Sequence, residues 1–164
     1  MFHKTYLLLT LLLGFFVLPP PASSQNNADI LALADLSSLK VYFDVKADSA
    51  AKLEKRFQWI YETYEQASQQ GLKVAIVIGV RSKASFFVTR GDEYVDEEDL
   101  LLKGKIEKWL KRFATMEIPM EQCGISAKLY DIEADEFLSE IRVVKNSYIS
   151  IAGYQNKGFA YVPM

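Results

Sequence analysis

The run "LKVAIVIGV", residues 72 to 80, is apolar at nearly every position. A strand of this composition has to be covered on both faces, because it lacks the alternating polar residues of a sheet with one wet side. Upstream, "LKVYFDV", residues 39 to 45, is β-branched and aromatic and predicts a second strand. Between the two lies a long amphipathic segment. Asp48 or Ser49 offers an N-cap, Leu53, Phe57, Ile60, Tyr61, Tyr64 and Ala67 recur at spacings of three and four, and Gly71 stands where a C′ residue belongs. A strand, a one-sided helix and a fully covered strand predict a right-handed parallel crossover.

The rest of the chain repeats the alternation. "RSKASFFVT" predicts a short helix or turn, and the acidic "GDEYVDEED" leads into a helix from about Glu98 to Ala114. Its inward residues are Leu102, Ile106, Trp109, Leu110 and Phe113, with Lys103, Lys105, Lys108, Lys111 and Arg112 mostly outward. Acids at the start and bases toward the end suit the helix dipole. A third strand is expected from about Met116 to Gln122, with Cys123 and Gly124 at its end and a helix starting near Ile125. A helical turn over 135–139, a strand over 141–144, a helix capped by Asn146 or Ser147, and a last strand over 159–162 complete the pattern. Five strands alternating with helices predict an α/β fold, a three-layer α/β/α sandwich with a mainly parallel five-stranded sheet. Trp59 and Trp109, at helical spacing, are expected in the core.

The first residues read as an export signal. Lys4 precedes an apolar run from Leu7 to Leu18, then a triple proline and the small residues Ala22 and Ser24. A retained anchor needs about 20 apolar residues, and this run is shorter. The expected organisation is therefore a cleaved signal over 1–24, an N-terminal tail over 25–38 with a turn of helix at Ile30 to Leu36, and one domain over 39–164. That predicts a periplasmic or secreted protein without stable membrane insertion.

Cleavage would remove His3, the only histidine. Ser/His/Asp and Cys/His catalysis and histidine metal sites would go with it. The formal charge would move from −2 to −3 with the loss of Lys4, which gives no signal for nucleic acid. "DEYVDEED" lacks the alternating acids and interior glycine of a calcium loop, and "GVRSKAS" lacks the spacing of a phosphate loop. No metal or cofactor is called for.

One thiol remains. A lone cysteine makes no internal disulfide, so Cys123 is either an inert hydrophobe or a reactive sulfur. Ligands of open parallel sheets sit beyond the carboxyl ends of the strands, which singles out Asp44 to Asp48 after the first strand, Gly79 to Lys83 after the second and Cys123 to Ser126 after the third, with Cys123, Gly124, Arg81, Ser82 and Lys83 as the candidate site residues. A cysteine at a helix start has its thiolate favoured by the dipole and needs no histidine. On that reading the sulfur is an accessible nucleophile at the sheet's rim.

"LKVYFDVKADSAAKLEKRFQWIYETYEQASQQGLKVAIVIGV", then "MEQCGIS", then the closing "GFAYVPM" resemble the DsrE/DsrF-like family of sulfur-relay proteins, over Leu39 to Met164. The resemblance implies a three-layer α/β fold and assembly into homo-oligomers or with paralogues. It also implies that Cys123 takes sulfane sulfur as a persulfide from a donor and hands it to an acceptor, without a cofactor. Two features depart from the pattern: relay members are cytoplasmic, and this chain has no second cysteine to act as a resolving thiol.

Overall fold

The computed structural model describes residues 30–164, so the expected signal lies outside the described residues. They fall into two units. The first ends at Ala34 and includes a helical turn, α1 (Ile30–Leu33); the second, Asp35–Met164, is the α/β domain.

Within the domain, β1 (Ser38–Lys46), α2 (Ala50–Gln69) and β2 (Lys73–Arg81) form the predicted crossover. Ser49 caps α2, its hydroxyl accepting the Lys52 N–H at 3.4 Å. At the other end Gly71 takes φ +81, which lets its N–H reach the Ser68 carbonyl and the Leu72 N–H reach that of Ala67. A 3₁₀ turn (Ser82–Val88) and the acidic loop lead to α3 (Leu100–Thr115), β3 (Met120–Cys123) and α4 (Gly124–Leu129). The chain ends with β4 (Arg142–Val144), α5 (Ser147–Asn156) and β5 (Ala160–Pro163). Asn146 caps α5, accepting the Tyr148 N–H at 2.9 Å.

The sheet runs β4-β3-β2-β1-β5 with every pair parallel. The chain steps from β1 to β4 in one direction and then returns to the far edge for β5. Right-handed crossovers therefore put α2, α3 and α4 on one face and α5 on the other. This is the three-layer α/β/α arrangement. On the three-helix face Val41, Phe43 and Val45 of β1 and Ile76, Ile78 and Val80 of β2 pack with Leu53, Phe57 and Ile60 of α2 and Ile106, Leu110 and Phe113 of α3. Phe57 meets Phe113 edge-on at 5.6 Å.

Three expectations need correction. Trp59 is 48% exposed: at about 100° per residue it lies some 200° around the helix from the buried Phe57. Lys103 points inward and is buried, its ammonium reaching Asp92 at 3.1 Å and Glu107 at 3.6 Å, because the acidic loop folds back to supply a partner. Strand β3 starts four residues later than expected. Residues 116–118 instead close α3, with Glu117 at φ +56 and the Ile118 N–H on the Phe113 carbonyl, and Pro119 follows.

Candidate functional site

The sheet face beneath α5 is built differently from the aliphatic one. Strand pleating sends alternate residues there, and beside Val77 of β2 this face carries Tyr42 and Asp44 of β1, Arg81 of β2, and Glu121 and Cys123 of β3. The register lays Asp44, Gly79, Glu121 and Arg142 in one row across four strands.

Asp44 is 1% exposed and anchors one end of the row. Arg81 donates Nε to Oδ1 at 2.6 Å and Nη2 to Oδ2 at 2.5 Å, and the Tyr161 hydroxyl donates to Oδ2 at 2.6 Å. Burial works to raise the pKa of this carboxyl, and the bonds from Arg81 and Tyr161 outweigh it, so the pKa is lowered. The third guanidinium nitrogen, Nη1, donates to the Tyr148 hydroxyl at 3.1 Å. At the other end Arg142 Nη2 donates to Glu121 Oε1 at 2.6 Å, while Glu121 Oε2 has no hydrogen-bond partner.

Gly79 leaves the middle of the row open, and Tyr42 fills it. A β-carbon on Gly79 would stand 2.1 Å from the Tyr42 hydroxyl oxygen. That hydroxyl is buried without a hydrogen-bond partner, and its ring packs 5.5 Å from Tyr154 of α5. Burial, then the charges of Glu121 and Asp44, push the phenol pKa above the ordinary tyrosine range.

Cys123 ends β3 and sits at the switch point of the sheet. The chain leaves β3 for α4 on one face and leaves the neighbouring β4 for α5 on the other, so a crevice opens between the two strand ends. Gly124 permits the close approach there: a β-carbon would lie 2.8 Å from the Val144 carbonyl oxygen. Burial raises the thiol pKa. Ser147 at the start of α5, and then Ser126 in α4, outweigh burial and leave the pKa lowered. The Ser147 hydroxyl is buried and has no hydrogen-bond partner. The sulfur thus faces donors from the starts of both α4 and α5. It is not open, however: Cys123 is 2% exposed, which corrects the expectation of an accessible rim nucleophile.

The other candidates divide. Gly124 adjoins the thiol. Arg81 turns its fork onto Asp44 instead of into a pocket. Ser82, at φ +65, donates its N–H to Ser126 Oγ at 2.9 Å, and Lys83 is exposed in a separate cleft. A groove of about 720 Å³ runs beside α4, with Gly124, Lys128, Val143 and Lys145 on its wall; Cys123 is not part of it. Sequence reasoning did not single out Tyr42, Glu121 or Tyr161, and it named Ser147 only as a helix cap. The available signal was a polar residue at alternate positions of otherwise apolar strands, Tyr42 and Asp44 within "VYFDV" and Glu121 within "MEQC". Among the described residues no three His, Cys, Asp or Glu side chains group as metal ligands, and no helix is long and apolar enough to cross a membrane.

No protein-family profile matches the chain, and no curated protein matches it. Solved structures do. The protein of unknown function MTH1491 from Methanobacterium thermoautotrophicum is 17% identical with a TM-score of 0.55, over 77% of this chain and 100% of that one. The ychN protein from E. coli is 12% identical with a TM-score of 0.57, over 77% of this chain and 99% of that one. At these identities the likeness is one of fold, a DsrE/YchN-like fold.

Proposed function

We propose that the protein is an exported, oligomeric sulfur carrier that holds sulfane sulfur as a persulfide on Cys123. One observation carries the reading: the only cysteine ends β3 at the sheet's switch point, between the starts of α4 and α5, where Ser126 and Ser147 favour its thiolate. The thiolate attacks the outer sulfur of a donor such as thiosulfate. A Cys123 S–S bond forms, the donor's S–S bond breaks, and its electron pair leaves on sulfite. An acceptor thiolate then takes the terminal sulfur and returns Cys123 to the thiolate. No net oxidation occurs, and no metal or organic cofactor is needed. Burial of the thiol requires the start of α5 to shift before a donor can reach it, and afterwards screens the persulfide from water.

The test is intact mass after incubation with polysulfide. A gain of sulfur that reducing agent reverses, and that Cys123→Ser abolishes, is the expected result. No gain at any excess of donor defeats the reading.

A second reading, a non-catalytic assembly module with an inert cysteine, is favoured by a different observation. Ile125 and Leu129 of α4 and Tyr148 and Ile149 of α5 are exposed apolar side chains on the helices that flank the buried thiol. It predicts a thiol inert to a small alkylating agent in the native state and an oligomer that Cys123→Ser leaves intact by sedimentation.

A further inference from the structure

At the carboxyl ends of β1 and β2, a cleft of about 340 Å³ opens between the start of α2 and the Ser82–Val88 turn. Its walls carry four bases, Lys46, Lys52, Arg56 and Lys83, against one acid, Asp48. Such a concentration is unusual in a chain whose formal charge is −2. Asp48 is already held by Lys52 at 2.8 Å, one helical turn on. Lys46, Arg56 and Lys83 form no ion pair among the described residues.

Arg56 separates this cleft from an ordinary solvated basic surface. Its Nη1 is buried and has no hydrogen-bond partner. A guanidinium nitrogen cut off from water and left without an acceptor is a costly arrangement, and buried polar groups normally find partners. The Arg56 side chain borders the cleft, and a turn of the guanidinium would bring this nitrogen to an anion bound there. The wall also follows Ala47, Asp48 and Lys52, along the N-terminal turn of the 20-residue α2, whose backbone donors and dipole favour negative charge. The backbone points the same way: Ser82 holds φ +65, a conformation non-glycine residues rarely adopt, and this turn sets Lys83 on the cleft wall.

We propose that this cleft is a binding site for a small, multiply charged oxyanion of the phosphate or sulfate type, free or carried on a small molecule. Cys123 is not on its wall, so the site stands whether or not the thiol carries sulfur.

The experiment is calorimetric titration of the purified protein at low ionic strength with inorganic phosphate, thiosulfate and adenosine monophosphate. Saturable one-to-one binding is expected, unchanged in Cys123→Ser. Lys46 and Lys83 are exposed and unpaired, so the double variant Lys46→Gln/Lys83→Gln is expected to keep its fold. It should bind about tenfold more weakly for each charge removed. Free anions binding as tightly as the nucleotide assign the site to the free oxyanion; tighter binding of the nucleotide assigns it to a phosphomonoester. Absence of saturable binding by all three, or equal binding by the double variant, overturns the proposal.

Discussion

Asp44 and Arg81 sit on adjacent strands two residues out of register, and the guanidinium reaches back along β2 to grip both carboxylate oxygens, at 2.6 and 2.5 Å. The pair is nearly dry, with Asp44 1% and Arg81 16% exposed at the side chain. Truncating one partner of such a pair leaves an uncompensated charge. Asp44→Asn should cost about 3 kcal/mol in urea unfolding at pH 7. The folded pKa of Asp44 is lowered from an ordinary value of 3.8, so its contribution is present in full above that value and lost as pH falls through the lower, folded one. The stability gap between wild type and Asp44→Asn should therefore close in acid. A gap that stays constant down to the most acid pH at which both fold would show that the loss is one of packing.

Tyr42 and Gly79 make a second matched pair. With the hydroxyl oxygen 2.1 Å from where a β-carbon would stand, Gly79→Ala forces the ring to move under α5, at about 1–3 kcal/mol. Tyr42→Phe removes a buried hydroxyl that has no partner, so it should be neutral or slightly stabilising in thermal unfolding. The phenyl variant rescues Gly79→Ala only in part, because the ring carbon bearing the hydroxyl is itself 2.7 Å from the added methyl. Full rescue would mean that the oxygen alone sets the spacing.

Periodicity carried most of the architecture. Leu53, Phe57 and Ile60 at helical spacing and the unbroken "VAIVIGV" were enough for the crossover, because burial on one stripe or on both faces is written directly in residue order. Strand order was not legible: it depends on which helix covers which face, and only the return to β5 settles that. The polar layer was hidden for a related reason. Tyr42, Asp44, Glu121 and Cys123 come from strands far apart in sequence, and only the register brings them onto one face. The sequence marked Cys123 and Gly124 through their place after a strand, but the serines that tune the sulfur lie on two later turns. The sequence puts Arg81 among the ligand-facing residues after the second strand, but nothing in residue order shows that its guanidinium turns back onto Asp44, 37 residues earlier.

The Lys103 ammonium, buried against Asp92 and Glu107, gives a test on the other side of the sheet. Lys103→Met keeps the apolar stem and removes the charge, leaving only exposed or half-exposed carboxylates behind. It should be tolerated within about 1 kcal/mol, whereas Lys103→Ala opens a void beside Ile106 and should cost about 2 kcal/mol or more. Chemical denaturation of both variants separates packing from charge. Equal losses would make the ion pairs, not the stem, the stabilising part.

The Cys123 thiol has its pKa set by opposing influences, burial raising it and donors from Ser147 and Ser126 lowering it by more. Removing one donor should tip that balance. Ser147→Ala leaves the backbone amide in place and deletes only the hydroxyl, so the thiol pKa should rise part of the way toward its ordinary value. Stability should hardly change, because that buried hydroxyl has no hydrogen-bond partner to lose. Gly124→Ala acts through geometry. Its methyl would press on the Val144 carbonyl at 2.8 Å, and backbone cannot yield as a side chain does. The turn leading to Ser147 must move away, which raises the thiol pKa and costs about 1–3 kcal/mol of stability as well. Alkylation rate against pH reads both effects. At a fixed pH below the ordinary thiol range, thiolate fraction should fall in the order wild type, Ser147→Ala, Gly124→Ala. Superimposable profiles for all three would mean that the serine donors do not control the sulfur, and the electrostatic basis for a persulfide at this position would be gone.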